Sequence, residues 1–308
     1  MPKMNISEKP NLRAFLNPNP VLRGDILIDP HGRKYKMNND PFLEVEMFNF
    51  PRGEYSVNLR IPFKLTQRIK VNSSCFSIYF LDPRFEDNTI SKVRLEVVGE
   101  RVKSEFEVPI RVHKLSGKVC NFDEKATIAY IWATRNIPVK NSMIVKTDQE
   151  GNYELYYPEG RRLRVFVGDT TYGRTTLESW IMADELKSDV EIDPHIGGNW
   201  ELYEFRCWFF DGIWNLFFLP AIVSSKILPE LNKRDLRVWI NNIEGDIRKF
   251  TYHKVYYRGK KSGAYYPAYL ACVIGDRYSN RLSWPVKIRA QIDSKRGRGE
   301  AWFIHYQI

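Results

Sequence analysis

Cysteine is scarce in this chain. Its four copies, Cys75, Cys120, Cys207 and Cys272, stand far apart in 308 residues and form no CxxC and no zinc-type cluster with the five histidines. Buried free thiols are the simpler reading, and one disulfide is the alternative. No apolar run reaches the ~20 residues of a membrane-spanning helix. The longest, "IWNLFFLPAIV" at 213–223, is short and contains Pro220. The N-terminus, "MPKMNISEKPNLRAFLNPNP", lacks the apolar centre of an export signal. A cytoplasmic protein is therefore expected, or an extracellular one if a leader has been removed. Helical periodicity is nearly missing. The best candidate is "TTLESWIMADELK" at 175–187, where Leu177, Ile181 and Ala183 or Leu186 could share a face, and "SSKILPELNKRDL" at 224–236 is a weaker one interrupted by Pro229. GxSxG, HExxH and Walker signatures are absent, and the residues point to no cofactor and no metal.

Strand signals are what the chain has in quantity. "KVRLEVV" puts Val93, Leu95 and Val97 on one face, and "EFEVPIRV" does the same with Phe106, Val108, Ile110 and Val112. Period-2 alternation of this kind marks strands with one face buried and one wet. Pro109 cannot donate to a ladder, which assigns its run to an edge. Turn signals recur at "FPRGE", "LDPRFEDN" and "VGE". Residues 1–40, punctuated by "NPNP" and "KMNNDP", read as an irregular arm, and 41–113 as a β-rich domain.

The stretch "TDQEGNYELYYPEG" at 147–160 carries the most specific pattern. Asp148 and Asn152 suit a turn closed by side-chain hydrogen bonds, and Gly151 supplies the positive φ of a tight hairpin. Tyr153, Leu155 and Tyr157 alternate along the next strand, and Leu163, Val165 and Val167 along the one after Pro158–Gly160. This order resembles the carboxypeptidase regulatory-like family, a small transthyretin-like β-sandwich. The family's opening "G-x-V" strand has its counterpart in "LSGKV" at 115–119, and "ATIAYIWATRN" at 126–136 would be the strand that follows. The usual Gly-Pro-Ala turn is replaced by "NFDEKA". The resemblance runs from 114 to 195 and implies a spacer, adhesive or stabilising module without catalytic residues of its own.

After a linker at "DPHIGG", residues 199–308 hold 22 of the 43 aromatics and +8 of the net charge of +10. Asp211–Gly212 between apolar runs is a hairpin signal. "AWFIHYQI" alternates with Trp302, Ile304, Tyr306 and Ile308 on one side. A closed barrel or jelly-roll-like sandwich is expected here. "WELYEFRCWFFDG" followed by "FFLP" resembles the opening strands of lipocalin-like carotenoid hydratases and related cyclases, which implies an apolar substrate enclosed in a barrel.

The fold expectation is thus all-β, tandem sandwich or barrel domains with a transthyretin-like middle domain. The candidate ligand-binding residues are Tyr252, Tyr256, Tyr257, Arg258, Tyr265, Tyr266 and Tyr269 in "YHKVYYRGKKSGAYYPAY", with Trp208 and Trp214. Sugar rings present C–H faces that pack on Tyr and Trp, while cations and amides bond their hydroxyls; the simpler reading of each aromatic is core filling. Exposed Tyr265 and Tyr266 are expected to act together. Nucleic acid is a lesser alternative through Lys254, Arg258, Lys260, Lys261, Lys295, Arg296 and Arg298, although no recognised motif is present. His253 and His305 as general bases, and Asp211, Glu204 and Glu300 as a carboxylate set, have nothing in the sequence to fix their geometry. The expected function is non-catalytic binding or assembly, with carbohydrate or a protein as partner. The alternatives are a lipocalin-like enzyme and a structural subunit of a β-rich assembly.

Overall fold

The computed structural model describes residues 9–19, 23–28, 34–38, 41–73, 75–100, 102–133, 143–171, 175–223, 230–258, 263–274 and 284–306, with backbone alone at 23–28, 34–38, 257–258 and 263–264. Strands dominate, joined by single-turn 3-10 helices at Pro83–Glu86 and Lys233–Asp235. Among the described residues, no helix is long and apolar enough to cross a membrane. The protein is all-β, a tandem of β-sandwiches, and divides into two compact units.

The first unit comprises Met1–Val21, Asn39–His113 and Tyr156–Glu159. With strands numbered in chain order, one of its sheets has the order β1 (Asn11–Asn17), β4 (Phe42–Phe48), β7 (Cys75–Leu81). The other has the order β6 (Leu65–Val71), β5 (Gly53–Ile61), β8 (Lys92–Gly99), β9 (Lys103–Pro109). Leu16, Leu43, Val45 and Met47 of the first sheet share a core with Val57, Leu59, Val93, Leu95 and Val97 of the second. The alternation read at 93–97 is that buried row, and Pro109 ends an edge strand as its missing donor requires. Within the N-terminal segment, Leu12, Ala14 and Leu16 are buried and β1 pairs antiparallel with β4.

In the second unit the dominant sheet has eight strands. Their order is β13 (Met143–Lys146), β12 (Tyr130–Ala133), β15 (Leu163–Gly168), β16 (Ser179–Ala183), β26 (Gly297–His305), β25 (Val286–Ser294), β21 (Leu236–Ile240), β22 (Ile243–Glu244). A four-stranded sheet has the order β19 (Trp200–Phe210), β20 (Ile213–Ile222), β24 (Gly263–Ile274), β23 (Asp246–Arg258). The remaining sheets are β14 (Asn152–Pro158), β10 (Val112–Lys118) and β17 (Val190–Glu191), in which the end of β14 and the start of β10 belong to the first unit; β11 (Cys120–Asn121) and β18 (His195–Ile196); β2 (Arg23–Ile28) and β3 (Lys34–Asn38).

Sequence expectations need correction here in three places. Asn11–Asn17, in the segment read as an irregular arm, is a strand paired with β4. The helical candidate at 175–187 contains β16, not a helix. All five residues Ser179–Ala183 are buried, so the strand is covered on both faces and reads as a continuous apolar run without alternation. It pairs antiparallel with β15 and parallel with β26, Trp180 opposite Ala301. One sheet therefore runs through both the 114–195 and the 199–308 regions. Of the two forms expected for 199–308, closed barrel or jelly-roll-like sandwich, the closed barrel is the one the strand order does not support. Strands of 199–308 divide between the two large sheets, and the ends of the four-stranded one, β19 and β23, do not pair among the described residues. The space between the sheets is filled by Trp200, Leu202, Phe205, Leu216, Phe218, Val238, Ile288, Ala290 and Phe303. The weaker helical candidate lies outside the described residues over 224–229; over 230–236 it holds only the 3-10 helix Lys233–Asp235 before strand begins at Leu236.

Local chemistry explains the turns. Thr147 Oγ1 accepts the Ala129 N–H at 2.9 Å and donates to the Thr127 carbonyl, so a side chain locks the start of the hairpin. Asp148 accepts the Asn152 N–H at 2.8 Å. Gly151 has φ +83°, and a Cβ there would meet the Val119 carbonyl at 2.5 Å. The Tyr153 hydroxyl donates to the Ile192 carbonyl. Asp211 and Gly212, both at positive φ, form the two-residue turn between Phe210 and Ile213. All four cysteines are free; Cys207 is buried, but Cys75 is exposed, contrary to the expectation of uniformly buried thiols.

Candidate functional site

β20 pairs with β24 only over Tyr269–Val273. The β23–β24 ladder continues past that point, from Tyr252 opposite Tyr269 out to Arg258 opposite Gly263. Six residue steps at ~3.3 Å give a two-stranded ribbon ~20 Å long that has lost its third strand. A ribbon this long holds its strand form because Tyr and Val suit a pleated surface and the register is regular from Lys249 outward.

The pleat sorts its side chains into two faces. Phe250, Tyr252, Lys254 and Tyr256 of β23 share one face with Ala271, Tyr269, Pro267 and Tyr265 of β24. Near the sheet this face is core. Tyr269 is 1 % exposed and stacks between Phe218 (centroids 5.8 Å apart) and Phe250 (5.0 Å), while its hydroxyl accepts the Leu231 N–H at 2.9 Å. Burial pushes the Tyr269 phenol above its ordinary pKa. Further out the same row becomes surface. Tyr252 is 47 % exposed and meets Tyr269 edge-on at 5.6 Å, and Tyr256 (55 %) and Tyr265 (71 %) sit opposite each other at 5.2 Å, tilted by 60°. Lys254 lies between them in the row and has no carboxylate partner among the described residues.

The opposite face carries Thr251, His253 and Val255 with Leu270, Ala268 and Tyr266. It continues through Cys272 and Asn215 to Trp208, which is exposed. The sequence candidates are therefore not one cluster. Tyr252, Tyr256 and Tyr265 form one exposed row, and Tyr266 and Trp208 belong to the other face. Tyr265 and Tyr266, adjacent in sequence, point to opposite sides. Tyr269 and Trp214 are in the core, the latter against Phe209 and His305. The side chains of Tyr257 and Arg258, like residues Lys260 and Lys261, lie outside the described residues.

The groups considered for catalysis are separately engaged. Asp211 serves its turn. Glu204, at a bulge with φ +53°, pairs with Arg164 and Arg206, each at 3.2 Å. Glu300 is fully buried and accepts from the His195 N–H, Trp302 Nε1 and Arg289 at 2.7–2.8 Å, while Arg289 lies between the rings of Trp239 and Trp302. Burial holds His305 below the ordinary histidine pKa. Two groups escaped the sequence reading. Glu178 and Glu201 are both buried and share a hydrogen bond, Glu201 also accepting from Trp180 Nε1 at 2.6 Å. Burial, and for Glu178 the neighbouring Glu201 charge, raises both carboxyls above the usual range. His195 sits above the ordinary value: burial pulls it down, and bonds to Glu300 and Glu124 outweigh that.

No protein-family model matches the chain, and neither does any curated protein. Solved structures superpose poorly. A Bacteroides uniformis protein to which carbohydrate binding has been provisionally ascribed aligns over 63 % of this chain and 99 % of its own, at 7 % identity and a TM-score of 0.24. A DUF3823 family protein from Parabacteroides merdae aligns over 63 % and 98 %, at 10 % identity and a TM-score of 0.22. A structure from a 1.5-MDa bacterial ice-binding adhesin covers 97 % and 98 %, at 9 % identity and a TM-score of 0.20. Superpositions at this level carry no weight for fold or ligand.

Proposed function

We propose that this chain is a non-catalytic binding protein whose contact surface is the Tyr252–Tyr256–Tyr265 face of the β23–β24 ribbon, and that it takes a carbohydrate chain there. One observation supports this above the others. A row of aromatics that begins as core at Tyr269 continues for four residues into solvent, where hiding apolar area no longer accounts for it. Tyr252 and Tyr256 stand ~13 Å apart along one strand, a spacing at which an extended ligand can lie across both rings. Tyrosine offers a rigid apolar face and a polar tip, so it can stack on a ring and bond to a hydroxyl at little entropic cost.

A protein partner is the second reading. It is favoured by β23 being the last strand of its sheet, an edge to which an extended segment can add. Residues 114–195 are read as a carboxypeptidase regulatory-like sandwich. Support comes from the side-chain-locked turn at Thr147–Asn152 and the constrained Gly151; in this reading β26 has been added to the free edge of β16. The region would then be the rigid support for the aromatic C-terminal part.

The test is a glycan array probed with the wild-type chain and with Tyr256→Ala/Tyr265→Ala. Hits that vanish in the double variant, with unchanged melting temperature, are expected. Hits that persist in it would move the site elsewhere.

A further inference from the structure

We infer that the ligand of the tyrosine ribbon is an anionic glycan, one carrying carboxylate or sulfate groups, with Lys254 meeting the charge; this rests on the carbohydrate reading above. From Ile247 to Gly275 the chain contains no Asp or Glu, although 37 in 308 residues would place about three or four in such a stretch. The same stretch holds Arg248, Lys249, Lys254, Arg258, Lys260 and Lys261. Several cations of this unit are matched by carboxylates: Arg237 with Glu244, Arg289 with Glu300, Arg298 with Asp123, Arg206 with Glu204 and, at the base of β23, Arg248 with Asp246. Lys249 and Lys254, by contrast, have no carboxylate within ion-pair distance among the described residues, and the ribbon brings none of its own.

The placement of Lys254 narrows the ligand. It lies two residues, ~6.6 Å, from both Tyr252 and Tyr256 on the tyrosine face, opposite Pro267. A negative group carried between two stacked rings meets it there, and the compact ammonium reaches carboxylate and sulfate alike. A nucleic acid strand is the poorer match. Its backbone carries a phosphate at every nucleotide and is tracked by a run of cations, whereas the ~13 Å between Tyr252 and Tyr256 present one cation on this face.

The experiment uses the full chain on an array of neutral, uronate-bearing and sulfated oligosaccharides, with single-stranded oligothymidylate as an added probe. Affinities of the hits are measured at low and moderate salt for wild type, Lys254→Gln, Lys254→Arg and Tyr256→Ala/Tyr265→Ala. Binding to charged glycans alone is expected. It should weaken with salt, fall about fivefold in Lys254→Gln, the scale of one exposed ion pair, and recover in Lys254→Arg. Hits confined to neutral glycans, or insensitive to salt and to Lys254, overturn the anionic inference and leave the carbohydrate reading standing. Oligothymidylate binding without glycan binding, or no glycan hit at all, overturns both.

Discussion

Tyr269 and Tyr265 occupy the same face of the same strand, four residues apart, and their truncation to alanine should have opposite consequences. Tyr269 is 1 % exposed within a stack of Phe218 and Phe250. Removing a buried aromatic of this kind costs about 3–5 kcal/mol. Its loss also strands the Leu231 N–H that the hydroxyl now accepts, for about 1 kcal/mol more. At about 2–4 °C per kcal/mol for a domain of this size, Tyr269→Ala should melt at least ~8 °C below wild type. Tyr265 is 71 % exposed and touches Tyr256 at a tilted 5.2 Å. An exposed contact of that kind is worth about 0.5 kcal/mol, so Tyr265→Ala should melt within ~2 °C of wild type. The assay is thermal unfolding followed by circular dichroism, with a near-ultraviolet spectrum to confirm native packing. Similar large losses in both variants would mean that the ribbon tyrosines are structural, and the separation of core from binding face would fail. A small loss at Tyr269 would contradict the core itself.

Other consequences follow from the interior. The Glu178 carboxyl is held above its ordinary pKa by burial and by Glu201. Its proton is retained in the fold and lost more easily in the unfolded chain, so this contribution is full below pH ~4.3 and fades as pH rises through the folded value. Glu178→Gln should therefore flatten the decline in melting temperature on the alkaline side, and an unchanged pH profile would refute the shared proton. Gly151→Ala, with a Cβ 2.5 Å from the Val119 carbonyl at φ +83°, should cost about 1–3 kcal/mol in chemical denaturation; a neutral result would show that the turn relaxes. Glu300→Ala strands the His195 N–H and Trp302 Nε1 and takes the carboxylate from Arg289, whose side chain is 23 % exposed, for an expected loss of about 2–3 kcal/mol. A variant as stable as wild type would mean that the donors around Glu300 find other partners.

Much of the architecture was legible because it is written in local chemistry. Asp211–Gly212 and Thr147–Gly160 specify their turns through positive φ and short polar side chains, and the alternation at Val93–Val97 is a buried row. The misreadings have physical causes. β16 is covered on both faces, which erases the period-2 signal, and its parallel partner β26 lies more than a hundred residues away. Leu12, Ala14 and Leu16 alternate as a strand should, but Pro and Asn flank them and compositional bias hides so short a run. At the ribbon, residue types pointed to a binding loop, yet which tyrosine is core depends on where β20 stops pairing. That limit, at Tyr269, is a tertiary fact. The Glu178–Glu201 pair escaped notice because two carboxylates 23 residues apart carry no local pattern.

The most direct test of the tyrosine ribbon as the contact surface is calorimetric titration of the best array glycan into wild type, Tyr256→Ala/Tyr265→Ala and Trp208→Ala. Each ribbon tyrosine stacked on a ring is expected to contribute about 1 kcal/mol, so the double variant should bind at least tenfold more weakly while Trp208→Ala, on the opposite face, binds as wild type does. Unchanged affinity in the double variant, or a loss confined to Trp208→Ala, would contradict the account and place the ligand on the other side of the sheet.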